Sequence, residues 1–170
     1  MANCSQTLAG IIRDCATAIG GVKAIFIANY ADVASVTVSN DEVSAITMNS
    51  SAKFARYEFR EQSAYANSDL QTDPVAGTSY WQTDIYMQFT KMETSKRIEI
   101  NALAKVGAAV IVETEDGSRW YYGIDRPCYA SAGNVNFGTA HGDRNGMSIN
   151  IQANDNEAAP ALASTVTIPE

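Results

Sequence analysis

The chain of 170 residues fits a single folded core, because its 46% hydrophobic and 18% charged residues supply enough apolar surface to offset the conformational entropy of ordering. Its formal net charge of -7 opposes tight binding to nucleic-acid phosphates, which requires clustered lysine and arginine. The sequence contains no run of the roughly 20 apolar residues that cross a bilayer as a helix, so no membrane partner is expected.

The N-terminal region carries two of the three cysteines. Cys4, Cys15 and Cys128 form an odd number without a CxxC pair, which favours free thiols in a reducing cytoplasm over a disulfide or a zinc site. The apolar stretch at residues 8–12 is far shorter than a signal-peptide core and follows no basic region. We therefore expect no export by the general secretory route.

Strand patterns dominate the first half of the chain. Residues 22–29 are rich in β-branched and aromatic side chains, which predicts a central strand buried on both faces. Residues 35–38 and 43–48 flank a turn and predict a hairpin. Two further strands are predicted at residues 53–60 and 81–89, where apolar and polar side chains alternate with a period of two.

The segment between those last two strands, about residues 62–79, is polar and has no hydrophobic period of its own. Loops of this length inside a domain are usually functional or mobile, so we expect an arm that reaches toward a neighbouring subunit. The candidate contact residues in this arm are Tyr65, Leu70, Asp73 and Pro74.

Residues 92–106 carry apolar side chains near helical spacing and predict one α-helix. Thr94 or Ser95 is expected to cap its start, and Gly107 to take the left-handed conformation that stops it.

The second half returns to strands, with a predicted hairpin at residues 108–123 across an Asp-Gly turn and a last strand at residues 147–152. Residues 131–146 are rich in glycine and asparagine. Residues 153–170 have no period, so a tail that is loose or ordered by a partner is expected there. The order of strands, helix and strands predicts a mainly β (α+β) fold over residues 1–152, a single domain built as a twisted β-sandwich or barrel with one flanking helix.

Chemistry-bearing residues are sparse. His141 is the only histidine, and Asp143 and Arg144 stand near it as conceivable acid–base partners, but three glycines within residues 138–146 favour a tight loop over a site. Neither GxGxxG, GxxxxGK[ST] nor GxSxG occurs in the sequence. We therefore expect no enzyme, no metal and no cofactor.

Three segments, residues 19–33, 53–59 and 138–146, resemble a structural protein family of tailed phages of Bacteroidetes, including crAss-like phages. The resemblance covers about residues 11–152 and does not extend to the last eighteen residues. It implies a virion protein of the tail or head-to-tail region, similar in fold to tail-tube proteins, which build rings from a β-sandwich flanked by a helix. A long loop of each subunit reaches a neighbouring ring in such proteins, and no catalytic residue transfers.

Two hypotheses follow from the sequence and this resemblance. The first is a protein made in the host cytoplasm that assembles with itself and with other tail or connector proteins into rings, whose lumen passes DNA without specific binding. Arg144 and Asn145 of the Gly-rich loop are further candidate contacts. The alternative is a carbohydrate- or receptor-binding β-sandwich of the virion, in which Trp120, Tyr121 and Tyr122 present a flat aromatic face.

Overall fold

The structure, a computed structural model, describes residue 11 and residues 19–170. Cys4 and Cys15 lie outside the described residues. The described chain contains eleven β-strands and one α-helix. In chain order they are β1 (Val22–Asn29), β2 (Val33–Ser39), β3 (Glu42–Met48), β4 (Ala55–Glu58), β5 (Ala64–Asp73), β6 (Thr78–Thr90), α1 (Thr94–Leu103), β7 (Ala108–Thr114), β8 (Arg119–Tyr122), β9 (Tyr129–Asn136), β10 (Gly146–Asp155) and β11 (Ala161–Leu162).

The strands form two sheets that pack face to face. The larger sheet has seven strands in the order β2-β3-β11-β8-β7-β1-β4, and the smaller has four in the order β5-β6-β10-β9. Every neighbouring pair is antiparallel except β11 and β3, which are parallel. The protein is therefore a β-sandwich with a flanking helix, as the sequence predicted.

Burial between the two sheets accounts for the hydrophobic patterns by which the strands were predicted. Ile25 of β1 and Val110 of β7 face Ile85 of β6 and Ile149 of β10, and all four are buried. Leu103 of α1 closes the same cluster. Side chains of β1 also enter a second apolar cluster on the opposite face of the seven-stranded sheet, so β1 is buried on both faces as predicted.

Both predicted hairpins are present. β2 and β3 join through Asn40 and Asp41, whose φ angles of 55° and 61° are those of a turn that matches the twist of the strands. β7 and β8 join through a turn in which Gly117 has a φ of 86°. Alternation in β6 is also confirmed, with Thr83, Ile85 and Met87 buried between partly exposed neighbours.

The helix is confirmed but shorter than predicted, and both of its predicted ends are wrong. The residue at its N-cap is Glu93, which makes no side-chain capping bond, and Thr94 and Ser95 lie within the first turn. Gly107 has no positive φ. A Cβ on Gly107 would lie 2.7 Å from the Cβ of Pro127. Glycine therefore allows Pro127 to pack closely against the backbone at this position.

The predicted arm is not an irregular loop. Residues 64–73 form β5, and β5 pairs with β6 along its whole length, from Ala64 opposite Met87 to Asp73 opposite Thr78. The prediction failed because exposed polar strands carry no hydrophobic alternation to reveal them. The last pair between β6 and β10 joins Trp81 to Asp155, so the hairpin end, residues 71–80, projects beyond the rest of the sheet.

One strand was missing from the sequence prediction, and one further prediction from composition was wrong. The glycine- and asparagine-rich region begins with a strand, β9, which pairs with β10. Residues 153–170 are not a loose tail, because β11 inserts between β3 and β8 of the seven-stranded sheet. Beyond it, Val166 and Ile168 are buried in the second apolar cluster, and the amide of Phe54 donates to the carbonyl of Pro169 at 2.7 Å. Long-range pairing of this kind leaves no local signal in the sequence.

Candidate assembly surface

The four-stranded sheet has two open edges. β5 lies at one edge and β9 at the other, and neither has a strand partner on its outer side within the described chain. An unpaired edge exposes a row of backbone N–H and C=O groups that can pair with another chain, and soluble proteins usually protect such edges with charge, proline or a bulge. β9 has the sequence Tyr-Ala-Ser-Ala-Gly-Asn-Val-Asn, which contains neither a charge nor a proline. Its pairing with β10 shifts register once, at Ser131, and the stretch from Ala132 to Asn136 is regular.

Both edges expose apolar side chains as well as backbone. On β5, Tyr65 and Leu70 are 53% and 50% exposed. Val135 of β9 is 43% exposed, and Phe137, which directly follows β9, is 68% exposed. Exposed apolar groups in isolation are ordinary, but these four lie along the two edges of one sheet. The surface that they form with the two open strands is called the edge surface below.

The directions of the two edge strands are compatible with each other. Successive neighbours in β5-β6-β10-β9 are antiparallel, so β5 and β9 run in opposite directions. When β9 of one copy lies beside β5 of an identically oriented second copy, the two strands are therefore antiparallel. Two unlike surfaces that fit in this way form a head-to-tail contact, which produces a ring when the rotation between copies closes.

The face of this sheet that points away from the core is polar. The amide of Asn150 donates to Asp84 Oδ1 at 3.1 Å and to Ser131 Oγ at 3.0 Å, which links β10 to β6 and β9. The rings of Tyr65 and Tyr86 stack with centroids 5.1 Å apart, which links β5 to β6. Asp69 and Asp84 lie on this face together with these tyrosines, and Arg144 packs over one end of it against Tyr86 and Gln88.

The candidate residues of the Gly-rich loop lie at the end of the sheet opposite the projecting hairpin. Arg144 Nη1 donates to Gln88 Oε1 at 3.2 Å, while its Nε and Nη2 atoms are buried without a partner in the described chain. The carbonyl of Asn145 accepts from the amide of Lys91 at 2.8 Å. Arg144 therefore anchors the loop against β6 in this copy.

The arm residues divide into two groups. Tyr65 and Leu70 belong to the β5 edge, as described above. Asp73 organises the turn, because its Oδ1 accepts from the amides of Val75 and Ala76 at 2.9 and 3.1 Å. Pro74 lies in that turn and is exposed. The structure thus gives Asp73 a role within its own chain, which its sequence position did not reveal.

The loop around His141 has the geometry of a tight turn. The Asp143 carboxylate accepts from the amides of Thr139 and Ala140 at 2.8 and 2.7 Å, and these bonds hold the pKa of Asp143 below its usual range. Gly138 has a φ of 73°. The Asp143 carboxylate, which lies near His141 in the sequence, therefore closes the loop through backbone hydrogen bonds.

The aromatic residues of β8 do not form the flat face that the carbohydrate-binding alternative requires. Tyr121 is buried in the second apolar cluster, and Tyr122 is buried in the core between the sheets. Trp120 is 38% exposed. Because successive side chains of a strand point to opposite faces, three consecutive aromatic residues cannot present one surface to a sugar.

Cys128 is a buried free thiol in the part of the chain that the structure describes. Burial raises the pKa of Cys128, which disfavours the reactive thiolate. Among the described residues, no group of three or more His, Cys, Asp and Glu side chains is arranged to hold a metal ion. No helix within residues 19–170 is long and apolar enough to cross a membrane.

Comparison of the chain with protein-family models, with curated proteins and with solved structures gives no match in any of the three.

The sequence pointed to one side of the edge surface and missed the other. Tyr65 and Leu70 were candidates because they lie in a long polar segment. β9 was not predicted as a strand, because its composition of small and polar residues, glycine, serine and asparagine among them, is common in turns. A signal that could have identified it is the uncharged stretch from Tyr129 to Phe137, which is unusual for an exposed loop in an acidic protein.

Proposed function

We propose that the protein is a virion structural protein of a tailed phage that assembles with copies of itself into rings of the tail tube or of the head-to-tail connector. The observation that carries this proposal is the pair of open, antiparallel-compatible edges on the four-stranded sheet. Ring closure would remove both edges, as barrel closure does within one chain. The resemblance of three sequence segments to a phage structural family supports the same assignment.

The polar outer face of the four-stranded sheet supports the proposal of a channel. In a closed ring of such sheets, one sheet face lines the lumen. The face with Asp69, Asp84 and Asn150 suits that position. Its carboxylates repel the phosphates of passing DNA, and its amides carry no charge that would attract them. In this proposal, DNA passes without specific binding.

The two ends of the four-stranded sheet suit the stacking of rings. Asp73 and Glu157 lie at or near the hairpin end. The opposite end carries both signs of charge, because Arg60 precedes Glu61 and Lys91 pairs with Glu93 at 3.1 Å. When rings stack in one direction, Asp73 and Glu157 of one ring face the end of the next ring that carries Arg60 and Arg144. Complementary charge at such a contact favours one register and one orientation.

The decisive experiment measures the mass of the purified chain by light scattering over a wide concentration range, with negative-stain electron microscopy of large species. Val135→Lys places a charge on the β9 edge at an exposed position, where it opposes strand pairing with another copy. Ile98→Lys is the matched control, because it makes a similar change on the exposed side of α1. We expect rings from the unmodified chain and from Ile98→Lys, and smaller species from Val135→Lys.

A result in which the unmodified chain is a monomer at every concentration, with or without other virion proteins, would contradict the proposal. Equal assembly by Val135→Lys and Ile98→Lys would contradict the role of the β9 edge. Binding of glycans by a monomer would promote the carbohydrate-binding alternative, although Tyr121 and Tyr122 are buried and cannot form its expected binding face.

A further inference from the structure

The seven-stranded sheet has two open edges of its own, which the edge surface does not include. β2 lies at one edge and β4 at the other, and neither has a strand partner on its outer side within the described chain. β2 has the sequence Val-Ala-Ser-Val-Thr-Val-Ser, which contains neither a charge nor a proline. Its pairing with β3 shifts register twice, and the stretch from Ser35 to Thr37 between the two shifts is regular. The outer side of this stretch is open to pairing with another strand.

The strands of the smaller sheet run across those of the larger sheet, as in orthogonally packed sandwiches. β5 crosses one end of the larger sheet's strands, because a cavity of about 270 Å³ brings Ala64 of β5 beside Val22 at the start of β1 and Thr114 at the end of β7. β9 begins at the opposite end of these strands, since a Cβ on Gly107, just before β7, would lie 3.4 Å from Cε1 of Tyr129. The edges of the larger sheet therefore lie at the two ends of the smaller sheet.

Contacts between the sheets show which edge lies at which end. Where β6 ends, the ring centroid of Phe89 lies 6.3 Å from that of Tyr57 in β4. At the other end, from which the hairpin of residues 71–80 projects, Asp155 of β10 and Val38 of β2 line one cavity. The β4 edge and the β2 edge thus lie on opposite sides of the molecule, in the two directions in which the proposed rings stack.

The two edges are compatible in strand direction. Six junctions connect β2 to β4 through the sheet, and all are antiparallel except the parallel junction between β11 and β3. Each antiparallel junction reverses the direction, so β2 and β4 run in opposite directions. When β2 of one copy lies beside β4 of an identically oriented copy in the next ring, the two strands are therefore antiparallel. The short strand β11 sets this relation, because one more antiparallel junction would make the two edges parallel.

β4 is accessible to a strand from another copy. Helix α1 approaches β4 from the side of the smaller sheet, where the Tyr57 hydroxyl donates to Glu99 Oε1 at 2.5 Å. Ala55, Arg56 and Glu58 of β4 are exposed. The helix therefore leaves most of this strand uncovered.

The faces of the two strands determine how they align. Val36 of β2 packs against the second apolar cluster, and the Arg56 guanidinium of β4 lies 5.6 Å from the ring centroid of Phe26 in the same cluster. Because side chains alternate between faces, pairing Val36 with Arg56 continues this layer from one copy to the next. The same alignment places Thr37 opposite Ala55, and both are exposed on the face toward the smaller sheet.

The charges that flank the two strands are of opposite sign. Residues 32–42 include three acidic residues and no basic residue, whereas residues 53–61 include three basic and two acidic residues. Antiparallel pairing of Val36 with Arg56 brings Asp32 to the level of Arg60. Complementary charge of this kind favours one register over shifted ones.

We propose that β2 of one copy pairs antiparallel with β4 of a second copy in the next ring, so that the seven-stranded sheet continues from ring to ring. This contact rests on the ring assembly proposed above and gives its stacking a strand-paired interface. The hairpin of residues 71–80 projects at the same end as β2, so stacking depends on both.

The test follows assembly by light scattering and negative-stain electron microscopy in chains that carry charges on these edges. Thr37→Lys places a positive charge on the open β2 edge, and Ala55→Glu places a negative charge opposite it on β4. The two changes are also combined in one chain. Thr47→Lys is the matched control, because Thr47 is exposed on β3, inside the sheet, and faces the same side as Thr37.

We expect stacked tubes from the unmodified chain and from Thr47→Lys. Thr37→Lys and Ala55→Glu should each form single rings and lose the tubes, because an unpaired charge on either strand opposes pairing. The double variant should form tubes again, since the two charges then face each other across the contact. A variant with a merely altered fold would not recover in this way, and Ala55→Glu keeps the test valid if Thr37→Lys does not fold.

Single rings without tubes from the unmodified chain at every concentration would overturn this proposal and leave the ring proposal intact. Tubes from both single variants, or no recovery in the double variant, would also overturn it. Ring formation itself is tested by Val135→Lys, because Val135 lies on β9 of the smaller sheet. A monomer at every concentration removes both proposals.

Discussion

At the scale of single residues, Gly146 is the position that tolerates a side chain least. It begins β10 opposite Thr90, and a Cβ there would lie 2.0 Å from the carbonyl oxygen of Phe89. Because the clash is with a backbone atom, a change of side-chain rotamer cannot relieve it. We predict that Gly146→Ala lowers the free energy of unfolding by about 2–4 kcal/mol, measured by urea denaturation.

Gly133 supplies the matched control for this prediction. It lies in β9 of the same sheet, and a Cβ there would meet nothing closer than the Ser148 carbonyl oxygen at 3.6 Å. Gly133→Ala should change the free energy of unfolding by less than about 1 kcal/mol. Equal losses of unfolding free energy in the two variants would show that the close approach of the Phe89 carbonyl is not what makes Gly146→Ala destabilising.

Individual residues were predictable where a local rule decides their conformation. Asn40 and Asp41 have positive φ because a two-residue hairpin turn requires it, and the sequence alone indicated this. Gly107 and Gly146 are glycine because of close approach by Pro127 and Phe89, which are distant in sequence. The burial of Asp155 and Tyr121 gave no signal in the sequence, because it depends on strands that are distant along the chain.

At the scale of elements, β11 shows how two residues can hold a sheet together. It is the link between β3 and β8, so the β2-β3 hairpin joins the seven-stranded sheet through it. The amide of Ala163 donates to the carbonyl of Val43 at 3.0 Å, which extends this link. The C-terminal segment is thus part of the sandwich.

Ile168 tests the contribution of this segment to stability. Its side chain is 7% exposed and packs in the second apolar cluster, whereas the neighbouring Thr167 is exposed. We predict that Ile168→Ala lowers the free energy of unfolding by about 2–4 kcal/mol, through lost burial and a residual cavity, with urea denaturation as the measurement. Thr167→Ala should cost less than about 0.5 kcal/mol. Similar small losses in both variants would mean that the segment does not stabilise the fold.

Elements were predictable in proportion to their burial. β6 and β7 were identified because one face or both faces are apolar, and burial imposes that pattern on the sequence. β5 and β9 are mostly exposed, so no hydrophobic period marks them. The predicted tail failed for another reason, since a strand of two residues is defined by its neighbours and not by its own composition.

At the scale of the whole molecule, the edge surface and the projecting hairpin divide the proposed assembly into two contacts. The edges of the four-stranded sheet would join copies within a ring, and residues 71–80 extend past the end of β10. The sequence placed Leu70, Asp73 and Pro74 in a reaching arm. It could not place them at the end of a rigid hairpin, because the pairing of β5 with β6 was not visible.

The hairpin can be shortened without disturbing either its turn or its register. Gln71 pairs with Tyr80 and Thr72 with Ser79, so deletion of these two pairs joins Leu70 to Asp73 and Thr78 to Trp81. The change removes about 7 Å of hairpin length, and an even number of residues keeps every side chain on its face. Asp73 still accepts the two turn amides.

We predict that the shortened protein forms single rings but no stacked tubes, because the edge surface is intact and the contact between rings is out of reach. Negative-stain electron microscopy distinguishes the two species, and the melting temperature should stay within about 2 °C, since the deleted residues are exposed. Thr72→Ala with Ser79→Ala changes the same exposed pair without shortening and should still form tubes. Tubes of normal length from the shortened protein would show that ring stacking does not depend on the reach of this hairpin and would assign it to another surface.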